Sequence, residues 1–172
     1  NKTIVKGRVV GVDFKQLHRV VIPTWQRYVP RQYLKKGSWE ESYSSQHDIL
    51  TLYRNNQKCA TVQFMTNQMA TESFQGDDLH FCKHDEEPSE AIWQENEKRF
   101  ITTGKIDMSI AWTPTKGLSW ATSLASESLN YNNVFKLCTL SNPRTSLETI
   151  DDIAKATVSH DELRMRFFGD FI

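Results

Sequence analysis

Short runs of β-branched and apolar residues alternate along this chain with segments whose apolar residues recur at helical spacing, and that alternation limits the fold more than any other feature. Ile4 to Val12 mixes Val, Ile and Gly in a run that reads as a buried strand. Phe14, Leu17, Val21, Trp25 and Tyr28 follow at helical spacing, with Pro23 expected to kink or divide the helix and Pro30 to end it. Ile49 to Tyr53 and Cys59 to Thr66 read as a hairpin across the polar loop Arg54-Asn55-Asn56-Gln57-Lys58. Leu79 to His84 reads as a strand ending at Asp85-Glu86-Glu87, after which Pro88 and Ser89 open a helix carrying Ile92, Trp93 and Phe100. Ile106, Met108 and Ile110 alternate with Asp107 and Ser109 in a strand that ends near Thr113-Pro114, and Val134 to Leu140 is a further strand candidate. In the tail, Thr145 with Glu148 and Ser159 with Glu162 have capping-box spacing, and Gly169 fits a helix stop. Strands alternating with helices imply an α/β fold with a mostly parallel sheet flanked by helices.

A chain of 172 residues suits one domain, and no repeat or Pro/Gly/Ser-rich linker divides it. Lys plus Arg equals Asp plus Glu at 21 each, so no global field draws it to nucleic acid or to an anionic membrane, and any nucleic-acid contact must come from a local patch. Cys59, Cys82 and Cys138 form no close pair and leave one over, which argues against a disulfide framework and fits a reducing compartment. No apolar run approaches the roughly 18 residues a membrane span needs, so the expectation is a cytosolic protein without a membrane partner. The chain begins with Asn rather than Met, which points to a piece of something longer.

In parallel sheets, function gathers where strands end and loops face a common crevice. Asp85 and Glu86 stand at such an end. Adjacent acids there can serve a nucleotide hydrolase, the first holding hydrated magnesium beside the phosphates and the second polarising the attacking water. They can equally be a solvated acidic helix start, favourable to the helix dipole. His80, Cys82 and His84 share one strand face and are metal-competent by type, but lack the distant fourth ligand of the usual zinc spacings. No G-x-S-x-G motif supports nucleophilic catalysis, and His18, His47 and His160 read as surface or packing residues. From Phe14 to Trp39 there is no acid, while Lys15, Arg19, Arg27, Arg31, Lys35 and Lys36 interleave with Trp25, Tyr28 and Tyr33. This is either a solvated helix face or a surface that tracks a phosphate backbone, with Arg27 and Arg31 as contact candidates.

Across residues 8–172 several patterns occur in an order that resembles the ATPase domain of the phage large terminases. They are Arg8-Val9-Val10-Gly11, Val21-Ile22-Pro23, Val62-Gln63-Phe64-Met65-Thr66, Phe74-Gln75-Gly76, Asp85-Glu86-Glu87-Pro88, Ile92-Trp93 and Arg99-Phe100. The stretch Trp112-Thr113-Pro114-Thr115-Lys116-Gly117-Leu118-Ser119-Trp120 looks like the family's coupling motif, and Arg166-Phe167-Phe168-Gly169-Asp170-Phe171 like its closing segment. The resemblance implies a P-loop NTPase-like fold of the ASCE type and a partial ATPase domain over residues 1–172. In it Asp85 is the acid that meets magnesium through water, Glu86 the catalytic base and Thr113 the coupling residue. It also implies ATP and Mg2+ as cofactors and double-stranded DNA, a portal protein and a small terminase subunit as partners. A homo-oligomeric ring would form during packaging, and the protein would act in the host cytoplasm rather than as a virion component. A helicase-like ATPase core and a non-catalytic DNA- or protein-binding domain are the competing readings.

Departures from the family pattern shape these expectations. No G-x-x-x-x-G-K-[ST] loop occurs, so the fold is expected to be truncated before its phosphate loop, and the chain alone to be inactive. By the same resemblance, the nuclease domain that would follow Ile172 is expected to be missing too. Gln75 stands where relatives often place an arginine, which leaves Arg99 as a candidate phosphate contact. The resemblance finally implies that the acidic strand and the strand ending near Thr113 lie adjacent and parallel. The strand at 134–140 would then be separated from them by a gap, or closed on by a rearrangement or another chain.

Overall fold

The computed structural model describes residues 3–114, 119–127, 134–135, 137–157 and 159–170. They form two compact units, residues 1–111 and 112–172, although no linker composition marks the division. The first unit is α/β. Its six strands are β1 (Val5–Gly11), β2 (Tyr43–Ser44), β3 (Ile49–Arg54), β4 (Gln57–Thr66), β5 (Phe81–Asp85) and β6 (Met108–Ala111), in the order β2-β3-β4-β1-β5-β6. β1 pairs in parallel with β4 and β5, and β5 in parallel with β6. The β2-β3-β4 side is antiparallel, so the sheet is mixed but mostly parallel. The acidic strand and the strand running toward Thr113 are therefore neighbours with the same direction, as expected.

Both faces of β1 are covered. Val9 packs with Leu17, Val21, Ile22, Val62 and Phe64 on one face, beneath the helical segment that follows β1. Val10 packs with Met65, Phe74, Cys82, Ile92 and Phe100 on the other, beneath α3 (Glu90–Lys98). A strand buried on both faces needs apolar residues at odd and even positions alike, which explains the unbroken Val-Val pair. The segment after β1 is helical in three pieces: α1 (Phe14–Gln16), a π-helical turn (Leu17–Val21) and α2 (Ile22–Tyr28). Pro23 sits in the first turn of α2, where its missing N–H breaks no bond. The division expected at Pro23 falls just before it, where the Ile22 N–H reaches back five residues to the Leu17 carbonyl.

The β3–β4 hairpin closes more tightly than its polar composition implied. Arg54 pairs with Gln57 across a two-residue turn in which Asn55 and Asn56 have φ of 53° and 57°. Asparagine tolerates this left-handed geometry, and the turn's twist matches that of the strands. The helix after β5 starts as the sequence implies, with Ser89 Oγ accepting from the Ile92 N–H.

The second unit contains α4 (Trp120–Glu127), α5 (Leu147–Ala156) and α6 (His160–Phe168). Ser159 caps α6 by accepting from the Glu162 N–H, and Gly169 ends it with φ of 64°, both as expected. The cap of α5 needs correction. Thr145 donates its N–H to the Asn142 carbonyl in a turn, so capping moves one residue on, to Ser146 with Thr149. The strand expected at 134–140 also needs correction, except at Lys136, which lies outside the described residues. Residues 134, 135, 137 and 138 carry no regular structure and Thr139–Ser141 forms a 3-10 turn. Phe135 and Leu137 are 81% and 85% exposed. β-rich composition becomes a strand only where a neighbour and a buried face receive it. Among the described residues, no helix is long and apolar enough to cross a membrane.

Gly7 is where the sheet tolerates least. A Cβ there would lie 1.9 Å from Phe81 Cζ, inside the ring that covers the β1–β5 pair. Gly7→Ala is expected to destabilise the fold by about 1–3 kcal/mol in denaturant unfolding, the usual cost of overpacking. Phe81→Leu in the same chain should recover part of that loss.

Candidate functional site

The connections decide where a ligand would sit. β1 hands the chain to helices on one face of the sheet and β5 hands it to α3 on the other, so the loops leaving these neighbouring strands part at their C-terminal ends. In open α/β sheets such a divergence forms the crevice where ligands bind. Val12 and Asp13 leave β1 at this point, and Asp85 and Glu86 leave β5.

Asp85 is the last residue of β5 and pairs in register with Ala111 of β6, one step beyond the Val10–His84 pair of β1 and β5. Its Oδ2 accepts a hydrogen bond from Gln16 Nε2. Gln16 is fixed in turn. Its Oε1 accepts from the Val12 N–H at 3.1 Å, and its own N–H donates to Asp13 Oδ1 at 2.7 Å, the N-cap of α1. Gly11 makes room for this arrangement, because a Cβ there would come within 2.6 Å of Gln16 Oε1.

Glu86 turns the chain out of the sheet. Its N–H donates to the Ala111 carbonyl at 2.7 Å, and its φ of 76° lies in the left-handed region, a conformation that costs a non-glycine residue about 1–2 kcal/mol. Such strain at a strand end is common at functional sites. Thr113 follows the end of β6 by two residues in the chain.

Arg99 is not brought to this crevice. Its carbonyl accepts from the Leu79 N–H before the start of β5, and its guanidinium pairs with Glu95 on its own helix at 2.9 Å, so it stands at the opposite end of the strand from Asp85. Arg27 and Arg31 are exposed, with Arg27 lying 5.6 Å over the Tyr28 ring and Tyr28 itself 71% exposed. Lys35 and Lys36 pair with Glu41, whereas Lys15, Arg19, Arg27 and Arg31 have no carboxylate in ion-pair range among the described residues. That leaves four cations of the acid-free stretch facing solvent.

Behind the acids lies a buried polar network of which the sequence marked only Cys82 and His84 as site candidates, and those as metal-competent by type rather than as partners of Arg8 and Asn96. The Arg8 guanidinium, fully buried in β1, donates to Asn96 Oδ1 at 2.6 Å, to the Phe74 carbonyl at 2.9 Å and to Gln63 Oε1 at 3.1 Å, with Phe74's ring 5.4 Å away. Asn96 continues to His84 Nε2 at 3.4 Å, and His84 lies 3.5 Å from Cys82 Sγ. Burial pushes the Cys82 thiol up to about 12. Burial, and after it the charge of Arg8, pulls His84 down to about 4. His80 is engaged elsewhere, its Nδ1 accepting from the Lys6 N–H. Among the described residues, no three His, Cys, Asp or Glu side chains are grouped to hold a metal.

No family model matches the chain, and no curated protein or solved structure is similar enough to count as a match.

His84 makes stability depend on pH in a fixed direction. Its folded value near 4 lies below its ordinary 6.5, so between these values the unfolded chain binds the extra proton. The stabilisation is complete above pH 6.5 and is lost as pH falls toward 4, amounting to about 3 kcal/mol at 1.36 kcal/mol per unit. Unfolding free energies measured across that window should lose most of this slope in His84→Gln.

Proposed function

We propose that this chain is part of the ATP-hydrolysing motor of a viral DNA-packaging terminase, the part that carries the acidic strand and the coupling segment. The observation that carries the reading is the placement of Asp85-Glu86 at the divergence of β1 and β5, with the strand leading to Thr113 adjacent and parallel. A hydrolase that works by positioning needs its acids on a rigid strand end facing an open crevice.

The residues fit magnesium held through water better than direct ligation. Asp85 ends β5 with no cluster of metal-ligating side chains around it among the described residues, and magnesium ordinarily keeps several waters while nucleotide phosphates supply further ligands. Bound magnesium would neutralise charge developing on the phosphates. Asp85 Oδ1 would then take hydrogen bonds from the ion's waters, since Oδ2 is held by Gln16. Glu86 would orient the attacking water and accept its proton. Thr113, at the exit of the neighbouring strand, would report the nucleotide state through its hydroxyl. The phosphate-binding loop would lie on a strand outside this sequence, beside β6, which ends the strand order. Double-stranded DNA, a portal protein, a small terminase subunit and further copies in a ring would be the partners, in the host cytoplasm.

A helicase-like ATPase core would use the same acids. The unpaired cations from Lys15 to Arg31 favour a second reading, a DNA-binding module without catalysis.

Purified alone, the chain should show no ATP turnover above background. In a gene product that joins it to a phosphate loop, Asp85→Asn or Glu86→Gln should lower turnover by about 100-fold or more with the fold intact by circular dichroism. Normal turnover in both variants would reduce the acid pair to a solvated helix start. DNA titrations at two salt concentrations test whether the basic stretch is the DNA surface in either reading. Arg27→Ala with Arg31→Ala should weaken binding and flatten the salt slope by about 2, near 0.9 per lost phosphate contact.

A further inference from the structure

Asp85 is held by a device assembled from a different strand and helix. Gln16 spans from the Val12 N–H, which its Oε1 accepts, to Asp85 Oδ2, to which its Nε2 donates. Its backbone is fixed by Asp13 at the N-cap, and glycine at residue 11 leaves room for its carbonyl where a Cβ would come within 2.6 Å of Oε1. A carboxamide suits this bridging position because it offers an acceptor and a donor on one rigid plane and carries no charge that would compete for a cation. Lysine or arginine would instead neutralise the acid.

We infer that Gln16 is the positioning residue of Asp85, fixing one carboxylate oxygen so that the other is presented to the crevice between β1 and β5. The presentation to hydrated magnesium rests on the function proposed above, whereas the positioning does not. The bond joins α1 to β5 and so ties the loop after β1 to the acid that ends β5. A hydrogen bond between an amide and an ionised carboxylate is stronger than a neutral one, and it removes the rotational freedom Asp85 would otherwise have at a strand end. Partners of direct metal ligands commonly contribute about 10- to 100-fold to metal affinity, and Gln16, whose acid would meet magnesium through water, is expected at the low end of that range.

The test compares Gln16→Met with Gln16→Ala in the full chain without metal, reading Asp85 χ1 from NMR scalar couplings and stability from thermal unfolding. Methionine keeps the length and volume of the side chain and loses both hydrogen bonds, so it separates positioning from packing. The expected result is one Asp85 rotamer in the native chain and rotamer averaging in both variants, with Gln16→Met retaining the native melting temperature within a few degrees. A single, unchanged Asp85 rotamer in Gln16→Met overturns the inference. If Gln16→Ala fails to fold, the methionine variant still decides, and if both unfold, Gln16 is a structural residue and the inference falls.

In a gene product with a phosphate loop, Gln16→Met should raise the magnesium concentration for half-maximal turnover about tenfold while kcat at saturating magnesium changes less. An unchanged magnesium requirement in that variant would overturn the presentation of Asp85 to hydrated magnesium. Full turnover in Asp85→Asn would sink the proposed function instead, leaving the rotamer result to stand by itself.

Discussion

Strand β1 pairs in parallel on both edges and is covered on both faces, and the other elements of the first unit take their places from it. Three of its residues set the terms. Gly7 admits the Phe81 ring against the backbone, and Gly11 admits the Gln16 carboxamide, so two glycines let β5 and α1 approach more closely than side chains would allow. Arg8 does the opposite, filling the sheet's α3 side with a buried charge. Its hydrogen bonds run to β4 through Gln63, to α3 through Asn96 and to the segment before β5 through the Phe74 carbonyl. Burying a guanidinium without a paired carboxylate is costly, and only this dense set of acceptors makes it tolerable. The same interior explains why Cys82 and His84 stay uncharged beside it: burial outweighs the pull of Arg8 and Lys83 on the Cys82 thiol, and burial and Arg8 act together on His84.

The consequence for function is geometric. β1 sends its chain to one face and β5 to the other, and Gln16 bridges the acids that follow β1 and end β5, Asp13 and Asp85. The strained backbone at Glu86 lets the second acid leave the sheet immediately after the first. In this arrangement the sheet supplies rigidity, and the polar groups come from the loops that leave it.

Much of this was legible in the residues. The strands at β1, β5 and β6, the hairpin at Asn55-Asn56, the Ser89 and Ser159 caps and the stop at Gly169 all announce themselves through local patterns whose physics is local. What was not legible depends on distant partners. Among the described residues, 134–135 and 137–140 have strand composition but no strand receives them, and, nearer in sequence, a turn at Asn142–Thr145 leaves the cap to Ser146. Gln16 carries no signal as a site residue, since a polar residue on a helix is ordinary until the fold sets Asp85 against it. Arg8 reads in sequence only as the first residue of a strand motif, and Arg99 as a candidate phosphate contact, until α3 is seen to run back along β5 and carry Arg99 away.

The central claim is that the ends of β1 and β5 form a site for a nucleotide and its hydrated metal. Titrating Mn2+ with ADP into the isotopically labelled chain and following paramagnetic loss of amide signals tests it directly, because even weak binding marks its location. The expected result is that signals of residues 12–16 and 85–87 disappear first, and that Asp85→Asn abolishes this selectivity. Losses scattered over surface acids, or centred away from those two strand ends, would contradict the claim.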